Sequence, residues 1–123
     1  MYEIMVEHSF SAAHQLRNQK GRPEKIHGHQ WNIQLFVLIK DLNAAGISVE
    51  FSQLKKELRS LIDPLDHAFI NEVFPFTEIN PTSENISRWL YDSLTKRLDT
   101  DQMEVSRIVV SEESGVSATY FED

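Results

Sequence analysis

The sequence predicts an α+β fold of order ββααββ: an antiparallel four-stranded sheet with two helices on one face. Three observations in the 123 residues carry this prediction. Two long early segments alternate apolar and polar residues, which is the period of a half-buried strand. Two later segments repeat apolar residues at helical spacing. The chain then closes with two alternating runs about Ser114-Gly115, the pattern of a hairpin. Laying both helices over one sheet face buries both apolar surfaces at once.

The first strand covers residues 2–12. Tyr2, Ile4, Val6, His8, Phe10 and Ala12 fall on one face, and Glu3, Glu7, Ser9 and Ser11 on the other. Residues 15–25 are polar, contain Gly21 and Pro23, and predict a loop. A second strand follows over 27–39. It turns Trp31, Ile33, Leu35, Val37 and Ile39 inward and Gln30, Asn32 and Gln34 outward, and Asp41 to Gly46 closes it in a turn.

The first helix begins near Phe51, with Phe51, Leu54, Leu58, Leu61 and Ile62 as its stripe. Pro64 disfavours helix at Asp63 and ends it. Residues 63–81 have no clear period and hold three prolines, Pro64, Pro75 and Pro81. The second helix starts near Thr82, capped by Asn80 or Thr82, with Glu84 at the positive end of its dipole. Its stripe is Ile86, Trp89, Leu90, Leu94 and Leu98. Strands over 104–112 and 116–122 complete the sheet. The sequence has no repeat or linker, so residues 1–123 read as one domain. Four strands leave two open edges and an uncovered face, a liability that pairing with another subunit removes.

Composition narrows the function. A net charge of −7 argues against nucleic-acid binding, which needs a basic surface. No apolar run approaches the ~20 residues that span a bilayer. With no basic-then-apolar leader either, a cytoplasmic protein is expected. The absence of cysteine excludes disulfides, thiolate metal ligands and a cysteine base or nucleophile.

The chemistry concentrates around Glu24-Lys25-Ile26-His27-Gly28-His29. Positions i and i+2 of a strand share a face, so His27 and His29 can aim at one point. Gly28 suits a close backbone approach or an unusual local angle. Two imidazoles make half a zinc site, and catalytic zinc commonly has three protein ligands and an open position. His14, at the end of the neighbouring strand, is the third candidate. His8 is its rival, read more simply as a hydrogen-bonded strand histidine. Asp66-His67 pairs an acid with a ring it could orient, although adjacent residues rarely meet that way unaided. Glu112 stands at a strand end, where acidic residues are usually just solvated. Arg17, Lys20, Arg22 and Lys25 crowd one loop and could attract an anionic substrate such as a phosphate ester, or could simply be solvated.

Together these pieces resemble the 6-pyruvoyl-tetrahydropterin synthase and 6-carboxytetrahydropterin synthase family. The matching runs are Phe10-Ser11-Ala12-Ala13-His14, His27-Gly28-His29, Leu65-Asp66-His67, Asn80-Pro81-Thr82-Ser83-Glu84-Asn85, and Glu112 eight residues before Tyr120. They occur in family order over almost the whole chain. The resemblance implies the tunnelling fold (T-fold) and zinc held by His14, His27 and His29. It implies a dihydropterin bound at a subunit boundary, anchored by Glu112 and helped by Thr82, Ser83 and Glu84. Asp66 and His67 would be the proton-transfer pair. Assembly would be a homohexamer, a dimer of trimers.

One departure bears on the product. The synthases of this family carry a cysteine shortly before His-Gly-His. Here Pro23 and Glu24 stand there, as in the glutamate-bearing (type III) subgroup. The resemblance therefore implies that Glu24 is the catalytic base and that 7,8-dihydroneopterin triphosphate is cleaved to 6-hydroxymethyl-7,8-dihydropterin. That product would feed folate synthesis in place of dihydroneopterin aldolase. The alternatives are a 6-carboxy- or 6-pyruvoyl-tetrahydropterin synthase of a queuosine or biopterin pathway, and a non-catalytic pterin-binding homologue.

Overall fold

The computed structural model describes residues 1–17 and 24–123. Two long strands, β1 (Tyr2–His14) and β2 (His27–Ile39), pair antiparallel without interruption, from Tyr2 opposite Ile39 to His14 opposite His27. Helix α1 (Phe51–Ile62) follows, then a two-residue strand β3 (Ala68–Phe69), helix α2 (Ser83–Leu98), and the hairpin of β4 (Met103–Glu113) and β5 (Val116–Tyr120). The sheet order is β3-β1-β2-β4-β5. The four predicted strands and two helices are present, with β1 running two residues beyond its predicted end, to His14, and β5 ending two residues short of its own, at Tyr120. The added fifth strand runs parallel to β1 at Ala12 and Ala13. It is too short to leave a periodic signature.

The predicted alternation sets the inward face. Val6, Phe10 and Ala12 of β1 are buried, as are all five inward residues of β2 from Trp31 to Ile39. Phe10 lies directly opposite Trp31, and the two rings stack with centroids 6.0 Å apart. Such cross-strand pairs are the unit from which a sheet gains stability. The Trp31 indole N–H donates to the Ala12 carbonyl at 3.1 Å, so its polar edge is also satisfied. Leu54, Leu58, Leu61 and Ile62 of α1 and Ile86, Leu90, Leu94 and Leu98 of α2 cover this face. Each large side chain so buried contributes roughly 1.5–3 kcal/mol.

Two details of the helices differ from expectation. Phe51, assigned to the α1 stripe, is exposed at the first position of the helix, and the buried stripe begins three residues later at Leu54. Pro64 ends the α-helix but leaves Asp63 right-handed helical, and the chain tightens into a 3₁₀ turn over Asp63–Leu65. Thr82 is the cap of α2, its hydroxyl accepting the Asn85 N–H at 3.1 Å.

The β4 strand carries a bulge with functional consequences. Phe36 pairs with Arg107, whereas Val37 pairs with Val105, so Ser106 is an extra residue. An extra residue reverses which parity faces the core. Val105 is buried before it, and Ile108 and Val110 after it. The same shift carries Glu112 to the inward face.

Candidate metal and pterin site

The site lies where the inward apolar row of each central strand gives out. On β1 the row runs Phe10, Ala12, His14. On β2 it runs Trp31, His29, His27, and on β4 Ile108, Val110, Glu112. Antiparallel pairing brings these three strand ends to the same end of the sheet. One ligand atom from each of His14, His27, His29 and Glu112 lies within 4.8 Å of all the others.

The hydrogen bonds define the chemistry of this cluster. His14 is wholly buried, and its Nδ1 is 2.8 Å from the Pro81 carbonyl. His27 Nδ1 is 2.9 Å from the Lys25 carbonyl. A carbonyl only accepts, so each ring must donate from Nδ1. In a neutral ring Nε2 is then a bare lone pair. These two Nε2 atoms face each other at 2.9 Å. Two lone pairs at that distance repel unless a proton or a cation lies between them. Burial holds the His14 imidazole below the usual histidine range, and the Pro81 carbonyl pulls the other way. A buried ring kept neutral, with its second nitrogen tied to a main-chain carbonyl, is the arrangement metal-ligating histidines use.

His29 Nε2 is 3.1 Å from Glu112 Oε2, yet it is a buried nitrogen with no properly oriented hydrogen bond among the described residues. The same carboxylate oxygen is 3.4 Å from His14 Nε2. The three imidazoles thus fit a divalent cation, with the Glu112 carboxylate close enough to neutralise part of its charge. His8 lies opposite Ile33, half-buried. It lies six positions from His14, about 20 Å along the strand, which places it outside the cluster.

The start of α2 closes the site. Pro81 orients His14 through its carbonyl, and Ser83 donates its hydroxyl to Glu112 Oε1 at 3.3 Å. Thr82 caps the helix and Glu84 is exposed on its first turn.

Asp66 and His67 do meet. His67 has a left-handed backbone, with φ of 57°, and its N–H donates to the Ser11 carbonyl at 2.6 Å. The Ser11 N–H in turn donates to Asp66 Oδ1 at 3.1 Å, and that oxygen is 2.9 Å from His67 Nδ1. The edge of β1 thus supplies what adjacent residues lack alone. His67 is 81% exposed and looks onto a depression of about 590 Å³. Ser11, Ala13, Gly28 and His29 share its walls. Among the described residues a Cβ at Gly28 would meet only the Ala12 carbonyl, at an ordinary 3.8 Å, so packing against them does not require glycine there.

Glu24 is exposed and stands outside the cluster of four. Its carbonyl accepts from Gln15 Nε2 at 2.7 Å and its N–H donates to the Leu16 carbonyl at 3.4 Å. Of the basic loop, Arg17 is engaged in structure, its guanidinium donating to the carbonyls of Phe76 and Ile79 at 2.8 and 3.1 Å. Lys25 is exposed, while Lys20, Arg22, Gly21 and Pro23 lie outside the described residues. Sequence reading did not find the Pro81 carbonyl as the partner of His14 or Gln15 as the partner of Glu24, and neither carries a local pattern that would have signalled it.

Residues 3–123 match the family described as 6-pyruvoyl tetrahydropterin synthase. The chain belongs to this family. A 6-carboxy-5,6,7,8-tetrahydropterin synthase of Synechocystis sp. is 34% identical over 99 residues, 76% of this chain and 75% of the relative. A dihydroneopterin monophosphate aldolase of Pyrococcus furiosus is 31% identical over 98 residues, 80% of this chain and 79% of the relative. The structure of the Caenorhabditis elegans 6-pyruvoyl tetrahydropterin synthase superposes with a TM-score of 0.78 at 22% identity, covering 100% of this chain and 98% of that one. The T-fold and a pterin-processing, lyase-type enzyme follow from membership of the family. No helix is long and apolar enough to cross a membrane among the described residues.

Proposed function

We propose that this enzyme cleaves the side chain of 7,8-dihydroneopterin triphosphate to give 6-hydroxymethyl-7,8-dihydropterin for folate synthesis. Zinc would be held by His14, His27 and His29. The observation that carries this reading is Glu24, three residues before His27, in a chain without cysteine. Its main chain is held to the end of β1 by Gln15 and Leu16. A carboxylate is a much weaker base than a thiolate, so the exchange of cysteine for Glu24 disfavours proton removal from carbon and suits removal from an acidified hydroxyl. The aldolase named for the Pyrococcus relative supports the same bond cleavage.

When bound, the zinc supplies Lewis acidity that lowers the pKa of a substrate hydroxyl. Glu24 takes the proton of the C2′ hydroxyl. The C1′–C2′ bond breaks in retro-aldol fashion: its electrons pass into the dihydropterin ring, the C2′ oxygen becomes a carbonyl, and C2′ and C3′ leave as glycolaldehyde triphosphate. His67, oriented by Asp66, returns a proton at C1′. Glu112 accepts the paired N–H donors of the pterin edge, with Ser83, Thr82 and Glu84 beside it. The enzyme would work in the cytoplasm as a homohexamer whose subunits share each site.

A second reading draws on the Synechocystis relative: a 6-carboxytetrahydropterin synthase in queuosine synthesis. The missing cysteine counts against it. Incubation with dihydroneopterin triphosphate, and separately with the monophosphate, followed by chromatography of the pterins, decides between them. The hydroxymethyl product is expected, and a main product of 6-carboxytetrahydropterin overturns the assignment. Release of no pterin product at all from zinc-loaded protein would leave a binding homologue.

A further inference from the structure

The segment after β1 is held by side-chain amides rather than by a strand. Asn71 accepts the Gln15 N–H on its Oδ1 at 2.8 Å and donates its Nδ2 to the Gln15 carbonyl at 2.7 Å. Asn80 treats Arg17 in the same way, accepting its N–H at 2.8 Å and donating to its carbonyl at 3.0 Å. Each asparagine side chain thus imitates the two-bond pairing that a neighbouring strand would give. Residues 15 to 17 become a fixed platform immediately beyond the buried ring of His14.

Glu24 rests on that platform. Gln15 reaches across with its side-chain amide to the Glu24 carbonyl, and Leu16 accepts the Glu24 N–H. The Gln15 bond is the shorter of the two, at 2.7 against 3.4 Å. Glu24 itself is exposed, so packing does little to fix its main chain. General-base catalysis depends on geometry, and a displacement of about 1 Å can cost ~100-fold in rate. Such precision comes from a supporting shell whose own groups are locked.

We propose that Gln15 is a positioning residue for Glu24, locked by Asn71 and fixing the Glu24 main chain through its amide. Asn71 acts on the reaction only through Gln15. This rests on the reading of Glu24 as the base.

The test is a double-mutant cycle in the zinc-loaded enzyme with dihydroneopterin triphosphate. Gln15→Met keeps the length of the side chain and removes the donor. It should lower kcat about 10-fold, with KM within about twofold and zinc content unchanged. Gln15→Arg restores an N–H donor on a long chain and should recover most of the rate. In a Glu24→Gln background, Gln15→Met should cost nothing further, because the effect passes through Glu24. Equal losses in the two backgrounds would make Gln15 a general structural residue and overturn the proposal. So would near-normal turnover of Gln15→Met while Glu24→Gln is strongly impaired. Near-normal turnover of Glu24→Gln itself overturns the base assignment, and the positioning role falls with it. Gln15 is only partly buried, and the unchanged zinc content reports that each variant is folded.

Discussion

His14 and His27 approach Nε2 to Nε2 at 2.9 Å while each ring donates its other N–H to a main-chain carbonyl, Pro81 for one and Lys25 for the other. With both donors committed, the contact makes chemical sense only with a positive charge between the rings. Burial of His14 disfavours supplying that charge as a protonated imidazole. A metal ion meets the need without it.

Elemental analysis should therefore give about one zinc per chain. His29→Ala should lose it and His8→Ala should keep it. Removing zinc with a chelator should lower Tm, because a ligand that binds only the native state at ~100 times its Kd stabilises by about 2.7 kcal/mol. Loss of metal from His8→Ala, with retention in His14→Ala, would show the ligand assignment to be wrong.

Glu112 touches both the histidines and Ser83, so its role needs separating from theirs. As a pterin anchor it supplies charged hydrogen bonds, each worth about 1.5–3 kcal/mol. Glu112→Gln should then raise KM at least ~10-fold with zinc retained. Should the variant come off the column without metal, the carboxylate is a fourth ligand instead.

Glu24→Gln should lose at least ~100-fold in kcat and keep its zinc, as expected on removing a general base. Turnover close to that of the unaltered enzyme would move the base elsewhere, and His67 is the next candidate.

Sedimentation should show a hexamer. β3 pairs with β1 only at Ala12 and Ala13, and among the described residues no strand pairs with this edge of β1 from Tyr2 to Phe10, while β5 forms the other edge. Open edges of this length invite pairing with another chain. A monomer at micromolar concentration that turned over substrate would rule out a site shared between subunits.

The alternation of β1 and β2 was enough to determine their inward face and the common face of His27 and His29, because burial locks a period of two to one register; that β1 continues two residues further and carries His14 onto the same face appears only in the pairing of His14 with His27. The apolar stripes of α1 and α2 were equally plain, apart from exposed Phe51 at the start of its helix. The presence of Glu24 and the absence of cysteine could only be read from the sequence. Tertiary structure decided the rest. Glu112 joins the histidines because the extra residue Ser106 reverses the parity of β4, and no local pattern marks a bulge that only the pairing with Phe36 and Val37 defines. Asp66 reaches His67 only because the Ser11 N–H at the edge of β1 holds the carboxylate and His67 itself takes a left-handed backbone. The carbonyl that orients His14 comes from Pro81, 67 residues away. A main-chain carbonyl carries no residue signature, so only the folded chain reveals which one faces the ring.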